Sequence, residues 1–138
     1  MLDASALLAL LQDEPGADAI ASRLAHAVMC TVNHSEVVAK LADAGMPEDA
    51  VREALSLPIR LVDFDAALSV HAGMLRQVTR ALGLSFGDRA CLALAAARGL
   101  TAVTTEAAWA DVPGGPEVEI IRPPPRSRGR PAGKRTSR

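Results

Sequence analysis

Tyrosine is absent from the 138 residues, and Phe64, Phe86 and Trp109 are the only aromatic side chains. A core made by this chain therefore consists of Ala, Leu and Val, which suits helices packed closely on a sheet. Long apolar runs are missing too. None reaches the roughly 18 residues that a membrane span requires, so no membrane association is expected. No basic segment leads into a short apolar one after Met1, so no signal peptide is expected. Cys30 and Cys91 stand alone in apolar runs, without metal-type spacing. They read as small buried hydrophobes in a protein of the reducing cytoplasm. With three histidines and two separated cysteines there is no cluster of the kind zinc selects. Neither G-x-G-x-x-G nor G-x-x-x-x-G-K-[ST] occurs, which leaves no sign of a dinucleotide or P-loop phosphate site.

What the chain does have is apolar residues, 49% of the total, and charge sorted by sign along its length. Arg126, Arg128, Arg130, Lys134, Arg135 and Arg138 follow three prolines at 123–125, with no acid among them. Residues 1–122 hold nine basic and sixteen acidic groups, a net of −7. The length suits one domain with a real core, placed at residues 1–122. Residues 123–138 are rich in Pro, Gly and Arg, cannot build a core, and read as a basic, disordered tail.

The best-marked stretch is residues 84–99, LSFGDRACLALAAARG. Ser85 and Asp88 make a capping-box-like start, Ala and Leu fill the run from 89 to 98, and Gly99 suits the left-handed position after the last turn. Residues 101–104 then read as a short buried strand. Around this helix the chain alternates. Residues 1–3 look like the end of a strand, and Asp3 caps a helix over 4–11. A turn at 13–16 leads into a helix over 17–25. Residues 27–32 have strand length and composition. Asn33 and Glu36 resemble a second capping box, opening a helix that ends near Gly45. A helix over 47–57 carries Glu48 and Asp49 in its first turn, where the dipole favours negative charge. Residues 59–62 make a third strand. Asp65 caps a long helix over 66–82, with Leu68, Ala72, Leu75, Val78 and Leu82 facing inward. A short helix near 106–110, a turn at 113–116 and an edge strand at 118–121 complete the pattern. Strands alternating with helices predict an α/β domain with a mainly parallel sheet.

Asp3, Glu36 and Glu106 each follow a strand and open a helix, and Asp88 opens the helix before the fourth strand. Any one of them is explained as a helix-dipole acid. Together they point elsewhere. In an open parallel sheet the strand C-termini share one edge, where ligands bind. Carboxylates gathered there repel, each pair by roughly 4 kcal/mol at about 4 Å in a dielectric near 20. A divalent cation that prefers oxygen, Mg²⁺ or Mn²⁺, offsets that cost.

Three stretches carry a family resemblance: M-L-D-A-S-A-L-L-A-L-L, N-H-S-E-V-V-A-K-L and G-L-S-F-G-D-R-A-C-L-A-L-A. They resemble a PIN domain and, more narrowly, the VapC-type toxin of a type II toxin–antitoxin pair, over residues 1–122. The resemblance implies a three-layer α/β sandwich with a parallel five-stranded sheet of order 3-2-1-4-5. It implies Mg²⁺- or Mn²⁺-dependent hydrolysis of RNA, leaving 5′-phosphate and 3′-hydroxyl ends. It also implies an antitoxin partner that blocks the acidic cleft, and a homodimer. By matching position, Asp3, Glu36 and Asp88 correspond to the metal-holding acidic triad, and Glu106 to a fourth catalytic acid, usually Asp in that family. The first strand has fewer apolar residues than the family pattern, so either it is short or the start lies upstream of Met1.

Other residues keep two readings. Ser85 and Thr104 are candidates to touch the metal's water shell or the scissile phosphate, and Ser85 is equally a cap. Arg89 is a candidate to contact RNA phosphate or pair with an acid. His34 lies on a different helix face from Glu36 and reads as a surface or packing residue. Trp109 reads as core, and Asp65 and Asp111 as cap or surface acids. The alternative function is a catalytically inactive binding or scaffolding module whose acids serve as helix caps. The tail offers either solubility or salt-sensitive attraction to RNA phosphates. If it attracts RNA, removing residues 123–138 lowers RNA affinity at low salt. Equal affinity with and without them leaves the tail a bystander.

Overall fold

Parallel strand pairs bracket the first three residues of the chain. The computed structural model describes residues 1–121, so the expected basic tail lies outside the described residues. In chain order the elements are α1 (Ala4–Leu11), α2 (Ala17–Ala21), β1 (Val28–Cys30), α3 (Thr31–Asp43), α4 (Glu48–Ala54), β2 (Arg60–Val62), α5 (Ala66–Met74), α6 (Arg76–Thr79), α7 (Phe86–Arg98), β3 (Ala102–Thr104) and β4 (Val118–Ile120). Strand β1 pairs in parallel with β2, Met29 opposite Leu61. Strand β3 pairs in parallel with β4, Val103 opposite Glu119.

The N-terminal segment joins the two pairs. The Leu2 amide donates to the Val28 carbonyl at 2.8 Å and the Asp3 amide to the Val103 carbonyl at 2.9 Å. The Val103 amide in turn donates to the Met1 carbonyl at 2.8 Å. Across the layer the order is therefore β2, β1, the first three residues, β3, β4, which is the expected 3-2-1-4-5 arrangement of segments. The expected first strand, at residues 1–3, is reduced to a single parallel bridge, Leu2 to Val103. At Asp3 the backbone turns into α1, which ends the pairing.

The sheet separates two cores, as a period of two demands. Met1, Cys30 and Ala102 face the cluster built on α5, α7 and Trp109. Their neighbours Leu2, Met29 and Val103 face the cluster built on α1, α3 and Ile20. This is the predicted three-layer α/β arrangement. Helix α7 packs against α3, α5, β1 and β3. That explains why its middle is apolar on every side: Ala90, Cys91, Leu92, Ala93 and Ala95 have no exposed surface. Small side chains let these neighbours approach, so few aromatics are needed. Both cysteines are free and buried, as their surroundings predict. Among the described residues no helix is long and apolar enough to cross a membrane.

Three local expectations change. The helix over 17–25 stops at Ala21, and the Ser22 hydroxyl donates to the Ala19 carbonyl at 3.0 Å. The long helix over 66–82 breaks at Leu75 into α5, α6 and a 3₁₀ turn at Arg80–Leu82. Thr79, not Val78, faces inward there: Val78 is 42% exposed, and the Thr79 hydroxyl donates to the Leu75 carbonyl at 2.8 Å. Asn33 does not cap α3. The chain passes straight from β1 into the helix at Thr31, which places Asn33 inside the first turn.

Because the middle of α7 is enclosed on all sides, Leu92→Ala leaves a cavity that its neighbours cannot close. The expected loss is about 2–5 kcal/mol of stability, read by chemical denaturation. A loss under about 1 kcal/mol contradicts the enclosed packing of this helix.

Candidate metal centre

The pairing of residues 1–3 with β3 brings Asp3 to the C-terminal edge of the sheet beside Thr104. Asp3 occupies the N-cap position of α1, yet its side chain makes no cap hydrogen bond. Its carboxylate accepts instead from the Ser5 hydroxyl at 2.7 Å and the Thr104 hydroxyl at 3.1 Å, both on Oδ2, and from Asn33 Nδ2 at 3.5 Å on Oδ1. Asp3 is 2% exposed. Ser5 Oγ also accepts from the Thr105 amide, and Thr104 Oγ1 from the Glu106 amide, each at 3.1 Å. These short polar side chains tie the start of α1 to the end of β3.

Asp88 arrives from the other side, on the first turn of α7. The capping box is complete: the Ser85 amide donates to Asp88 Oδ2 at 2.8 Å, and the Asp88 amide donates to Ser85 Oγ at 3.2 Å. Glu106 follows β3 at the start of a 3₁₀ turn, Ala107–Asp111, and is exposed. Asp3, Asp88 and Glu106 each offer a carboxylate oxygen, and the three oxygens lie within 4.8 Å of one another. Glu36 stands outside that group but lines the same cleft of about 310 Å³. It accepts from Asn33 Nδ2 at 3.3 Å and is seated against Gly87, where any Cβ would collide with its carboxylate.

The arrangement thus joins all four expected acids in one cleft and regroups them. Asp3 and Asp88 are joined at short range by Glu106, whose extra methylene reaches in from the sheet edge. Glu36, expected in the innermost set, is held to one side by Asn33. Thr104 is fully buried and acts on the cleft through Asp3, not by facing it. Ser85 lines the cleft and also caps α7. Arg89 pairs with no acid among the described residues: its Nη1 donates to the Ala72 carbonyl at 2.9 Å and its guanidinium lies 5.9 Å from the centre of the Phe86 ring. It fastens α7 to α5. His34 lies in a separate, larger groove of about 570 Å³ between α3 and α4, away from the acids. Trp109 is core, 1% exposed.

Three residues of this site were not singled out by their sequence pattern, Ser5, Lys40 and Gly87, and Asn33 was read only as a helix cap. Ser5 lies two positions after Asp3, and Gly87 directly precedes Asp88. Lys40 lines the cleft one helical turn after Glu36, at the i,i+4 spacing that puts two side chains on one face.

The electrostatics follow from this crowding. Burial raises the Asp3 carboxyl above its ordinary value, and the Asp88 charge adds to the rise, against hydrogen bonds from Ser5 and Thr104. Burial, then the Asp3 charge, raises Glu36, while the Asn33 hydrogen bond opposes this. Burial raises Glu106 as well, followed by the charges of Asp88 and Asp3. Two carboxylates about 4.8 Å apart repel by roughly 3–4 kcal/mol in a dielectric near 20. The donors are all hard carboxylate oxygens, gathered beyond what hydrogen bonds neutralise. That set fits Mg²⁺ or Mn²⁺ and does not fit zinc.

Fold and site together define an α/β domain with an acidic, cation-suited cleft at the C-terminal edge of parallel strands. The chain belongs to the PIN domain family, whose model matches residues 1–115. Among curated proteins none matches the chain in sequence. Its fold is similar to that of VapBC from Salmonella typhimurium in a DNA-bound crystal structure, with a TM-score of 0.68 and 18% identity, over 88% of this chain and 96% of that one. It is also similar to VapBC2 from Rickettsia felis bound to a DNA fragment from their promoter, with a TM-score of 0.65 and 18% identity, over 87% and 96%.

The raised carboxyls set the pH response. Asp3, Glu36 and Glu106 hold their protons to higher pH in the folded chain than in the unfolded one. The folded state therefore binds more protons through this range, and stability falls as pH rises past the raised values. In EDTA, the melting temperature is expected to rise as pH is lowered from about 7 towards about 5. With saturating Mn²⁺ the trend reverses, because protons then compete with the cation. A melting temperature in EDTA that drops on the same acidification contradicts this reading of the cleft.

Proposed function

We propose that this chain is the toxin of a toxin–antitoxin pair, a Mg²⁺- or Mn²⁺-dependent endoribonuclease that hydrolyses RNA phosphodiester bonds. The observation that carries the proposal is the group of three carboxylates, two of them buried, within 4.8 Å at the sheet edge. Family membership supports it, as does the likeness to VapBC complexes.

Asp3, Asp88 and Glu106 would hold the cation, with Glu36 beside them. A bound Mg²⁺ or Mn²⁺ supplies positive charge against the phosphoryl oxygens and lowers the pKa of a coordinated water. The chain's own residues do the rest. Ser5, Thr104 and the capping box fix two of the carboxylates before any substrate arrives, so no reorganisation is needed at the moment of reaction. Glu36 is placed to orient the attacking water. Lys40 is the cation lining the cleft among the described residues and is placed to meet an incoming phosphate. The water oxygen bonds to phosphorus in line and gives up a proton, the bond from phosphorus to the 3′ oxygen breaks, and that oxygen takes up a proton, so that the elements of one water are added in all. The products carry 5′-phosphate and 3′-hydroxyl ends, and no 2′-hydroxyl nucleophile takes part.

The same cleft explains the partners proposed here. Crowded carboxylates attract a basic side chain as readily as a cation, which suits an antitoxin segment that closes the cleft. A second copy of the chain is the other proposed partner. Val70 and Met74, four residues apart on α5, are 66% and 59% exposed, an apolar surface that suits a dimer contact. Buried free thiols suit the reducing cytoplasm.

Asp88→Asn tests the central step. Asparagine keeps an acceptor for the Ser85 amide, so the cap and the fold persist. Cleavage of a labelled RNA pool with Mg²⁺ or Mn²⁺ should fall by more than about 100-fold, close to 3 kcal/mol of transition-state stabilisation. An unchanged rate in the folded variant overturns the assignment. So does cleavage by the wild type that persists in EDTA.

A further inference from the structure

We infer that Asn33 is the positioning residue of this site. Its amide would act as a neutral brace that sets where Asp3 and Glu36 stand relative to α7. The inference rests on the nuclease reading for its consequence, and on geometry for its substance.

Asn33 has no exposed surface, although it is an amide on a helix whose neighbours His34 and Ser35 reach the surface. Its Nδ2 faces three acceptors from three elements: the Gly87 carbonyl on α7 at 2.9 Å, Glu36 Oε2 on α3 at 3.3 Å, and Asp3 Oδ1 at the head of α1 at 3.5 Å. Those acceptors fix the amide's orientation, since the reverse would set its carbonyl oxygen against three other oxygens. In this orientation Oδ1 is buried without a partner among the described residues. That unmatched acceptor is a cost, and turning the amide over would not relieve it, because Oδ1 would then face the three oxygens. Here the donor side is needed where it points.

The position is also specific. Gly87 has no Cβ, so Glu36 can lie against the α7 backbone close to the carbonyl that Asn33 holds. Asn33 and Gly87 thus fix Glu36 from two sides. A Lys or Arg in this place would neutralise the carboxylates and compete with the cation. An amide supplies two N–H donors and no charge, and leaves the site free to take up Mg²⁺ or Mn²⁺. Hydrogen-bonding partners behind ligating carboxylates commonly set metal affinity or activity by about 10–100-fold.

The test uses the full chain and two readouts. The first needs neither metal nor activity. In EDTA, the fall in melting temperature caused by Asn33→Ala is measured in the wild type and again in a Glu36→Ala background. A brace between the two gives a smaller fall in the second background. Equal falls mean that Asn33 does not hold Glu36, and overturn the inference. The second readout is the Mn²⁺ dissociation constant by calorimetry. Asn33→Ala should weaken it by about 10-fold or more, and Asn33→Ser, which restores one donor, should recover part of the loss. Unchanged Mn²⁺ affinity in the folded Ala variant also overturns the inference. Failure of the wild type to bind Mn²⁺ or cut RNA would count against the nuclease reading instead, and the melting comparison would still decide on Asn33.

Discussion

Like charges held together at the end of a parallel sheet set the terms on which the rest of this fold is arranged. Asp3 and Asp88 are both nearly excluded from water, with the carboxylate of Glu106 next to them. Left to themselves these groups would separate or take up protons, and burial with neighbouring charge pushes the carboxyls of Asp3, Glu36 and Glu106 above their ordinary range. What keeps them close is neutral hydrogen bonding from elements that are far apart in sequence. Ser5 and Thr104 hold Asp3, the Ser85 amide holds Asp88, and Asn33 holds Glu36. No Lys or Arg ion pair closes the group among the described residues. A cation entering such a site would offset the repulsion that the hydrogen bonds leave.

The surrounding architecture follows from the need to deliver these side chains to one edge. Parallel strands put successive C-termini on the same side, so Asp3 and Glu106 come off adjacent segments. Helix α7 supplies Asp88 from its N-terminal turn and then runs back through the centre of the protein. The alanines and leucines from Ala90 to Ala95 are buried, which accounts for a composition with so few aromatics. The Arg89 guanidinium is used to fasten α7 to α5.

Much of this was legible in the sequence where the physics is local. The Ser85–Asp88 cap, the left-handed Gly99 and the Asp65 cap were readable because each involves residues within one helical turn. The alternation of helices and strands was readable for the same reason, and the gathering of four acids followed from parallel topology. The grouping within the cleft was not legible. Glu106, not Glu36, completes the group of three, and Asn33 meets Gly87 across 54 residues, a contact no local pattern announces. Ser5 reaches the Thr105 amide across 100 residues, and nothing in a D-x-S triplet alone announces that. Asn33 misled in an instructive way. An asparagine three residues before a glutamate matches a capping box, but β1 enters α3 without a loop, so the asparagine falls inside the helix and is released for the site.

The most direct test of the central claim is the place where a cation binds. Crystals of the full chain soaked in Mn²⁺ would be measured for anomalous scattering at the manganese edge. The account predicts a peak bonded to the carboxylate oxygens of Asp3, Asp88 and Glu106, with Asn33 still holding Glu36 beside it. A cleft free of manganese at saturating concentration, or a peak seated elsewhere with these carboxylates unbonded, would contradict it.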